Sequence, residues 1–509
     1  MHISQNNMRC IYIVILSLLF SINTQAQTAK FDWEQASKWT NTSISGVQNP
    51  KYIFPTQEGF TTYSVEEIGT RAYTSKIIYI SKFDNTGKYL SSVELTLPKR
   101  QLKDATLLKI IEGNNKLYIF SYVALKKDKK NILYAQVYDN TTDTLGDTYE
   151  LYTLPIAKVN NSGFFNVELS RNRKRFAVLV NKPFVKKTKE EIDVLILDAN
   201  LELISNVKQQ LSFDSKRSSH ETLFVENDET VTLIKKTNLN KKSPITTVIT
   251  IKGQILKEQQ VSADNFYISD CKVITVNAKQ YLVGFATDNA KPAVSMGGAK
   301  DKSYFIYNIS ENKLVKNQSW KPEILKKVLG KGFIDLKVKT ILLDDNDIYI
   351  IGDRFSKKSE AIPGQNFEYN YTYNFGPGVV IKLNTEGDIA YESYIKYGEE
   401  YNNNMKRLGS FYPFISNGAL HILANEKESI LKKKKIVMGY NKINAKAIVL
   451  KTFNGLGEVS IVPFWNSTVG GEQSSFAFSP SQTIQLTDKV FYIYAFGGDK
   501  QAFGRMTIE

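Results

Sequence analysis

The stretch Ile341-Leu342-Leu343, Asp344-Asp345-Asn346-Asp347, Ile348-Tyr349-Ile350-Ile351-Gly352, resumed after a polar excursion by Gly378-Val379-Val380-Ile381-Lys382-Leu383, Asn384-Thr385-Glu386-Gly387 and Asp388-Ile389-Ala390-Tyr391, decides the fold. It holds four short runs of β-branched and aromatic residues. Asn, Asp and Gly, which tolerate tight-turn backbone, separate them. Four such runs read as four consecutive strands.

The unit recurs. A strand–turn–strand hairpin is read around Asp84–Gly87, Asp139–Gly146, Asp198–Asn200, Lys252–Gly253, Ser310–Asn312, Asn384–Gly387 and Asn454–Gly457, and a second pair of apolar runs precedes each. A further pair, Ile484–Leu486 with Val490–Phe496, lies near the end and is followed by one last run, Arg505–Ile508. Self-similarity at roughly 40–65 residues with four strands per unit is the signature of a β-propeller, because each small sheet must stack on neighbours to cover both faces. The expected class is therefore all-β, a propeller of eight or alternatively seven four-stranded blades. Residues 27–509 form one domain, in which Ala29–Trp33 supplies the strand missing from the last unit. One short helix is expected as an insertion over Glu323–Leu329, with Pro322 in its first turn and Gly330 to stop it. Two tandem β-sandwiches are the competing architecture, but no Pro/Gly/Ser-rich linker divides the chain.

Leu169-Ser170-Arg171-Asn172-Arg173-Lys174-Arg175-Phe176-Ala177-Val178 resembles the first hairpin of TolB-like and WD40-like propellers. The resemblance covers about ten residues of one unit. It implies the fold and no function, and the Gly-His and Trp-Asp signatures of WD40 repeats are absent.

The chain opens with Arg9, the apolar segment Ile11–Ile22 and the small-residue site Thr24-Gln25-Ala26, which together read as a secretory signal peptide, residues 1–26. An apolar core of about twelve residues is short for a span, which takes roughly 20. Export to the periplasm, the outer-membrane surface or the medium is expected, with no transmembrane segment after cleavage. Composition rich in Asn, Lys and Ile, and the Gln that follows the cleavage site, resemble secreted proteins of the Bacteroidetes group. The full chain carries 66 basic and 51 acidic residues, and the leader contains one of the basic ones, Arg9, so the mature excess is 65 − 51 = +14. Only Cys271 remains after cleavage, which excludes an intramolecular disulfide.

No Gly-x-Ser-x-Gly, His-Glu-x-x-His or phosphate-loop motif occurs. The two histidines beyond the leader, His220 and His421, read as structural. Asp344–Asp347 lacks the Gly and the distant Glu of a calcium loop and reads as a solvated turn. No metal and no cofactor are expected.

Two features are less ordinary. Lysines fall between the second and third runs of successive units: Lys126, Lys127, Lys129 and Lys130; Lys186, Lys187 and Lys189; Lys235, Lys236, Lys241 and Lys242; Lys300 and Lys302; Lys357 and Lys358; Lys432, Lys433, Lys434 and Lys435. In a propeller these connections share one face, so the charges form a basic rim or, on the other reading, only keep the protein soluble. In the longest of these connections, Phe367, Tyr369, Tyr371, Tyr373 and Phe375 alternate strictly with polar residues, so an extended strand sets five rings on one side. Either these rings meet a ligand or they pack on a neighbouring blade. The expectation is a monomeric, non-enzymatic binding or scaffold protein whose basic, aromatic face takes an acidic polysaccharide or an envelope protein. Nucleic acid is not an expected partner. The alternative is a propeller-type glycan hydrolase or lyase.

Overall fold

The computed structural model describes residues 29–32, 50–70, 73–100, 103–156, 158–214, 218–240, 243–261, 266–287, 303–328, 336–361, 369–402, 406, 408–426, 447–466, 477–497 and 500–508. The chain is almost entirely β. Apart from a two-stranded ribbon, Lys99–Arg100 with Lys103–Asp104, the described strands form eight antiparallel sheets of four or five strands. In chain order, sheets 1 to 7 span residues 51–96, 106–155, 164–214, 218–261, 267–319, 336–402 and 411–466; each is a meander of four strands, to which sheet 2 adds Tyr149–Pro155 beside Lys130–Asp139 and sheet 6 adds Glu399–Asn402 beside Tyr369–Asn384. Sheet 8 runs Ala477–Gln485, Val490–Gly497, Lys500–Ile508, and its fourth strand is Ala29–Asp32, from the other end of the chain. There Ala29 lies opposite Ile508 and Asp32 opposite Arg505.

Alternation along single strands explains how the sheets stack. In Arg175–Asn181, Phe176, Val178 and Val180 enter a core shared with sheet 2, while Ala177 and Leu179 enter one shared with sheet 4. Lys279–Thr287 repeats this: Tyr281, Val283 and Phe285 face sheet 6, and Leu282 and Ala286 face sheet 4. A strand with both faces covered needs an unbroken apolar run, which is why the inner strands read so. From sheet 2 to sheet 8 the first strand of each sheet touches the first strand of the next, and Ala477–Gln485 of sheet 8 then meets Lys51–Thr56 of sheet 1. Sheet 1 in turn meets Thr106–Gly113 of sheet 2 through its strand Tyr73–Asp84. This is β-propeller architecture. The helix α1, Pro322–Val328, joins sheet 5 to sheet 6 and buries Ile324 and Val328 in the core between them.

The turn chemistry is also periodic. The side-chain oxygen of Asp84 accepts the N–H groups of Thr86 and Lys88; that of Asn384 accepts those of Glu386 and Asp388; that of Asn454 accepts those of Leu456 and Glu458. Each turn then passes through a glycine with positive φ, Gly87, Gly387 or Gly457.

Candidate functional site

Among the described residues the longest strands are Asp347–Ala361 and Tyr369–Asn384 of sheet 6, with 15 and 16 residues. Only part of each is needed for the sheet. The pairing slips between Gly352 and Arg354 and then continues to Ala361 opposite Tyr369, so the pair extends as a two-stranded ribbon. The short strand Glu399–Asn402 braces its base by pairing with Thr372–Phe375.

Register places Phe355 opposite Phe375, Lys357 opposite Tyr373 and Ser359 opposite Tyr371. The side chains of one ribbon face therefore interleave across the strands. Tyr369 and Tyr371 have ring centroids 6.4 Å apart, Tyr371 and Tyr373 6.3 Å, and Phe355 stacks beside Tyr373 at 6.2 Å. Two lysines lie on this row. The Lys357 ammonium is 3.7 Å from the Tyr371 centroid and 5.7 Å from that of Tyr373; Lys406, from the segment after sheet 6, is 5.4 Å from Tyr373 and 5.5 Å from Phe355. These are cation–π distances. Tyr369 and Phe355 are exposed, whereas Phe375 is buried. Phe375 anchors the ribbon: its ring contacts Tyr401 at 6.2 Å and lies so close to Gly409 that a Cβ there would come within 2.1 Å of it. The opposite ribbon face carries Arg354, Ser356, Lys358 and Asn374 beside Glu400.

Beneath the ribbon lies a charged network. Lys339 Nζ donates to Asp353 Oδ2 at 3.4 Å and to Ser410 Oγ, and sits 4.8 Å from the Phe411 ring centroid. Burial holds the Lys339 ammonium below its ordinary pKa, against the pull of Asp353. Tyr401 and Tyr397 are pushed well above the usual phenol range, chiefly by burial and further by the Glu399 charge.

Of the other residues that the sequence singles out, Lys126 and Lys127 lie exposed in the turn between Lys116–Leu125 and Lys130–Asp139, and Lys186 and Lys187 lie exposed before Lys189–Asp198. Phe367, Lys432 and Lys433 lie outside the described residues, as do Lys241, Lys242, Lys300, Lys302, Lys434 and Lys435. Lys235 does not belong to a rim. It is buried inside Val231–Asn240 and pairs with Glu190, because the strand runs past the point where the apolar pattern stops. His421 is fully buried, stacked on Phe414 at 5.1 Å and bonded to Thr452 Oγ1 at 3.0 Å. Cys271 is buried as well. Among the described residues no three His, Cys, Asp or Glu side chains converge as a metal site, and no helix is long and apolar enough to cross a membrane. Sequence reading missed Phe355 and Lys406. Phe355 stands alone in a polar run, and Lys406 reaches the row only through the fold.

No family model matches this chain, and no curated protein does. Among solved structures, the chain is similar to the WD40 domain of SCAP from fission yeast (9% identity, 93% of this chain and 98% of that one, TM-score 0.38). It is similar to the polysaccharide lyase Uly1 (11% identity, 79% and 89%, TM-score 0.35). It is also similar to the β-propeller domain of the Trilobed protease from Pyrococcus furiosus (12% identity, 69% and 97%, TM-score 0.33).

Proposed function

We propose that the chain is an exported binding protein, a single propeller of eight blades closed by its first and last strands, which takes an acidic glycan on the aromatic face of the sheet 6 ribbon. The observation that carries this reading is the row of Phe355, Tyr373, Tyr371 and Tyr369 with Lys357 and Lys406 lying on it. Flat apolar faces suit the C–H faces of sugar rings, and the two ammonium groups suit carboxylate or sulfate substituents. In a ring of meanders the connections between second and third strands leave at one end, so Lys126, Lys127, Lys186 and Lys187 would share the end from which the ribbon, with its own Lys357 and Lys358, extends, and together they would steer an anionic chain towards it. Export follows from the leader, with the mature chain beginning at Gln27.

Two carboxylates beneath the ribbon, Asp353 and Glu426, favour binding over hydrolysis by that pair. Asp353 is held by Lys339, and Glu426 by the buried Lys451. A general acid–base pair needs carboxyl groups that exchange protons with substrate, and these two are engaged as counter-ions.

The test is an array of acidic and neutral polysaccharides probed at low and high salt with the wild type and with Tyr369→Ala/Tyr371→Ala/Tyr373→Ala. Acidic glycans should bind. Added salt should weaken them, since screening acts over about 10 Å at 0.1 M. The triple variant should lose at least about 1–3 kcal/mol of affinity, the worth of one stacked ring. Absence of acidic-glycan binding, or binding indifferent to both salt and the substitutions, contradicts the proposal.

A further inference from the structure

The sheet 6 ribbon has a second face, and its chemistry is unlike that of the aromatic row. Successive side chains of a strand leave on opposite sides, so Arg354, Ser356 and Lys358 point away from the side taken by Phe355 and Lys357. Register sets Gly376 opposite Arg354, Asn374 opposite Ser356 and Thr372 opposite Lys358, and Glu400 of the bracing strand lies opposite Asn374. A cavity of about 430 Å³ opens over this face, with Arg354, Ser356, Lys358, Asn374 and Glu400 in its wall. Its volume lies in the small-molecule range.

Two glycines shape it. The stem of Arg354 lies across Gly376, where an added Cβ would come within 2.7 Å of Arg354 Cδ and 3.0 Å of its Cβ. Gly398 leaves the floor open, since a Cβ there would meet nothing within 4 Å. The cations of this wall are unmatched. Asp353, the neighbour of Arg354 in sequence, is paired with Lys339 at 3.4 Å. The half-buried Arg354 and the exposed Lys358, by contrast, have no hydrogen-bond or ion-pair partner among the described residues, and neither has Glu400. Glu399, the other carboxylate of the wall, is buried and accepts the Tyr401 hydroxyl. A guanidinium carries five N–H donors in a fixed fork that matches a carboxylate, and here it meets a cavity instead.

We propose that this face binds two acidic units of a polyuronate. The inference rests on the reading of the ribbon as an acidic-glycan site and names the polymer as one with a carboxylate on successive sugars. The Arg354 fork takes the carboxylate of one unit through two parallel bonds. Lys358, four positions on and about 13 Å away along the strand, takes that of a later unit. Between them Ser356 and Asn374 donate to sugar oxygens, and Glu400 accepts from hydroxyl groups. The ribbon then holds the glycan on both faces, stacking sugar rings on one and reading charge on the other.

The experiment is biolayer interferometry on immobilised polygalacturonate, with the fully methyl-esterified polymer as the uncharged control. Wild type, Arg354→Gln/Lys358→Gln, the ribbon triple-Ala variant and Lys88→Gln/Lys174→Gln are compared, each checked for folding by its melting curve. Lys88 and Lys174 are exposed in turns between third and fourth and between first and second strands, away from the ribbon, so the last variant removes the same charge elsewhere. Arg354→Gln/Lys358→Gln should speed dissociation from polygalacturonate by about tenfold, and Lys88→Gln/Lys174→Gln should leave it within about twofold of wild type, because site contacts act on the off-rate and distant charge on the on-rate. The esterified polymer should not distinguish wild type from Arg354→Gln/Lys358→Gln. If Arg354→Gln disturbs folding, the exposed Lys358→Gln decides alone. Dissociation unchanged by the cavity substitutions, or sped equally by both lysine and arginine pairs, overturns the inference, while loss of binding in the triple-Ala variant leaves the ribbon reading standing. No binding of polygalacturonate by the wild type also overturns it, and the ribbon reading then falls only if the array of acidic glycans is blank as well.

Discussion

Two residues, the buried His421 and the partly buried Glu112, titrate in opposite senses. Burial pulls the His421 imidazole from 6.5 down to about 4, against a bond to the Ser416 carbonyl. Burial raises the Glu112 carboxyl from 4.5 to about 7, against Arg173 and Lys51. Between about 4 and 6.5 the unfolded chain holds a proton on His421 that the folded one lacks, so the stabilising contribution of His421 is present above 6.5 and lost as pH falls through about 4. For Glu112 the folded chain holds the extra proton, so its contribution is present below 4.5 and lost as pH rises through about 7. Each shift corresponds to about 3 kcal/mol, and the two largely cancel. Denaturant unfolding between these limits should therefore show His421→Asn gaining stability relative to wild type as pH falls, and Glu112→Gln losing it. Parallel pH curves for the three proteins would refute the assignment. Neither shift is legible in the sequence: His421 looks like any histidine on an apolar strand, and Glu112 looks like any carboxylate beside a turn.

At the scale of elements, alternation and turn chemistry made the strands readable. The runs around Asp84–Gly87, Asn384–Gly387 and Asn454–Gly457 announce hairpins because the Asx oxygen and the positive-φ glycine are local devices. The ribbon was readable for the same reason, since Tyr369, Tyr371 and Tyr373 alternate with polar residues. What periodicity cannot supply is the partner across a sheet interface. Lys235 stands in a polar stretch, yet sheet 3 brings Glu190 and Asn181 to it, and both members of the ion pair are 1% exposed. Burial pulls the Lys235 pKa down and Glu190 opposes it. Removing one member strands a buried charge, so Lys235→Met alone should destabilise by about 3–5 kcal/mol, while Lys235→Met with Glu190→Leu should recover most of that loss. Thermal or denaturant unfolding of the two singles and the double checks this, and additive losses would show that the pair does not act as a unit.

At the scale of the whole molecule, the proposed function depends on ring closure. A face assembled from connections of several sheets exists only if the sheets are held in a circle, and the strand most exposed to loss is Ala29–Asp32, which reaches sheet 8 from the far end of the chain. The backbone register sets Lys30 opposite Thr507. The most direct measurement is therefore a cross-link, in purified protein carrying Lys30→Cys and Thr507→Cys, assayed by non-reducing electrophoresis and melting under oxidising conditions. An intramolecular disulfide in the monomer and a higher melting temperature are expected, because the bond closes nearly the entire chain into one loop. Free thiols after oxidation, or disulfides found only between molecules, would contradict a ring closed by its own two ends.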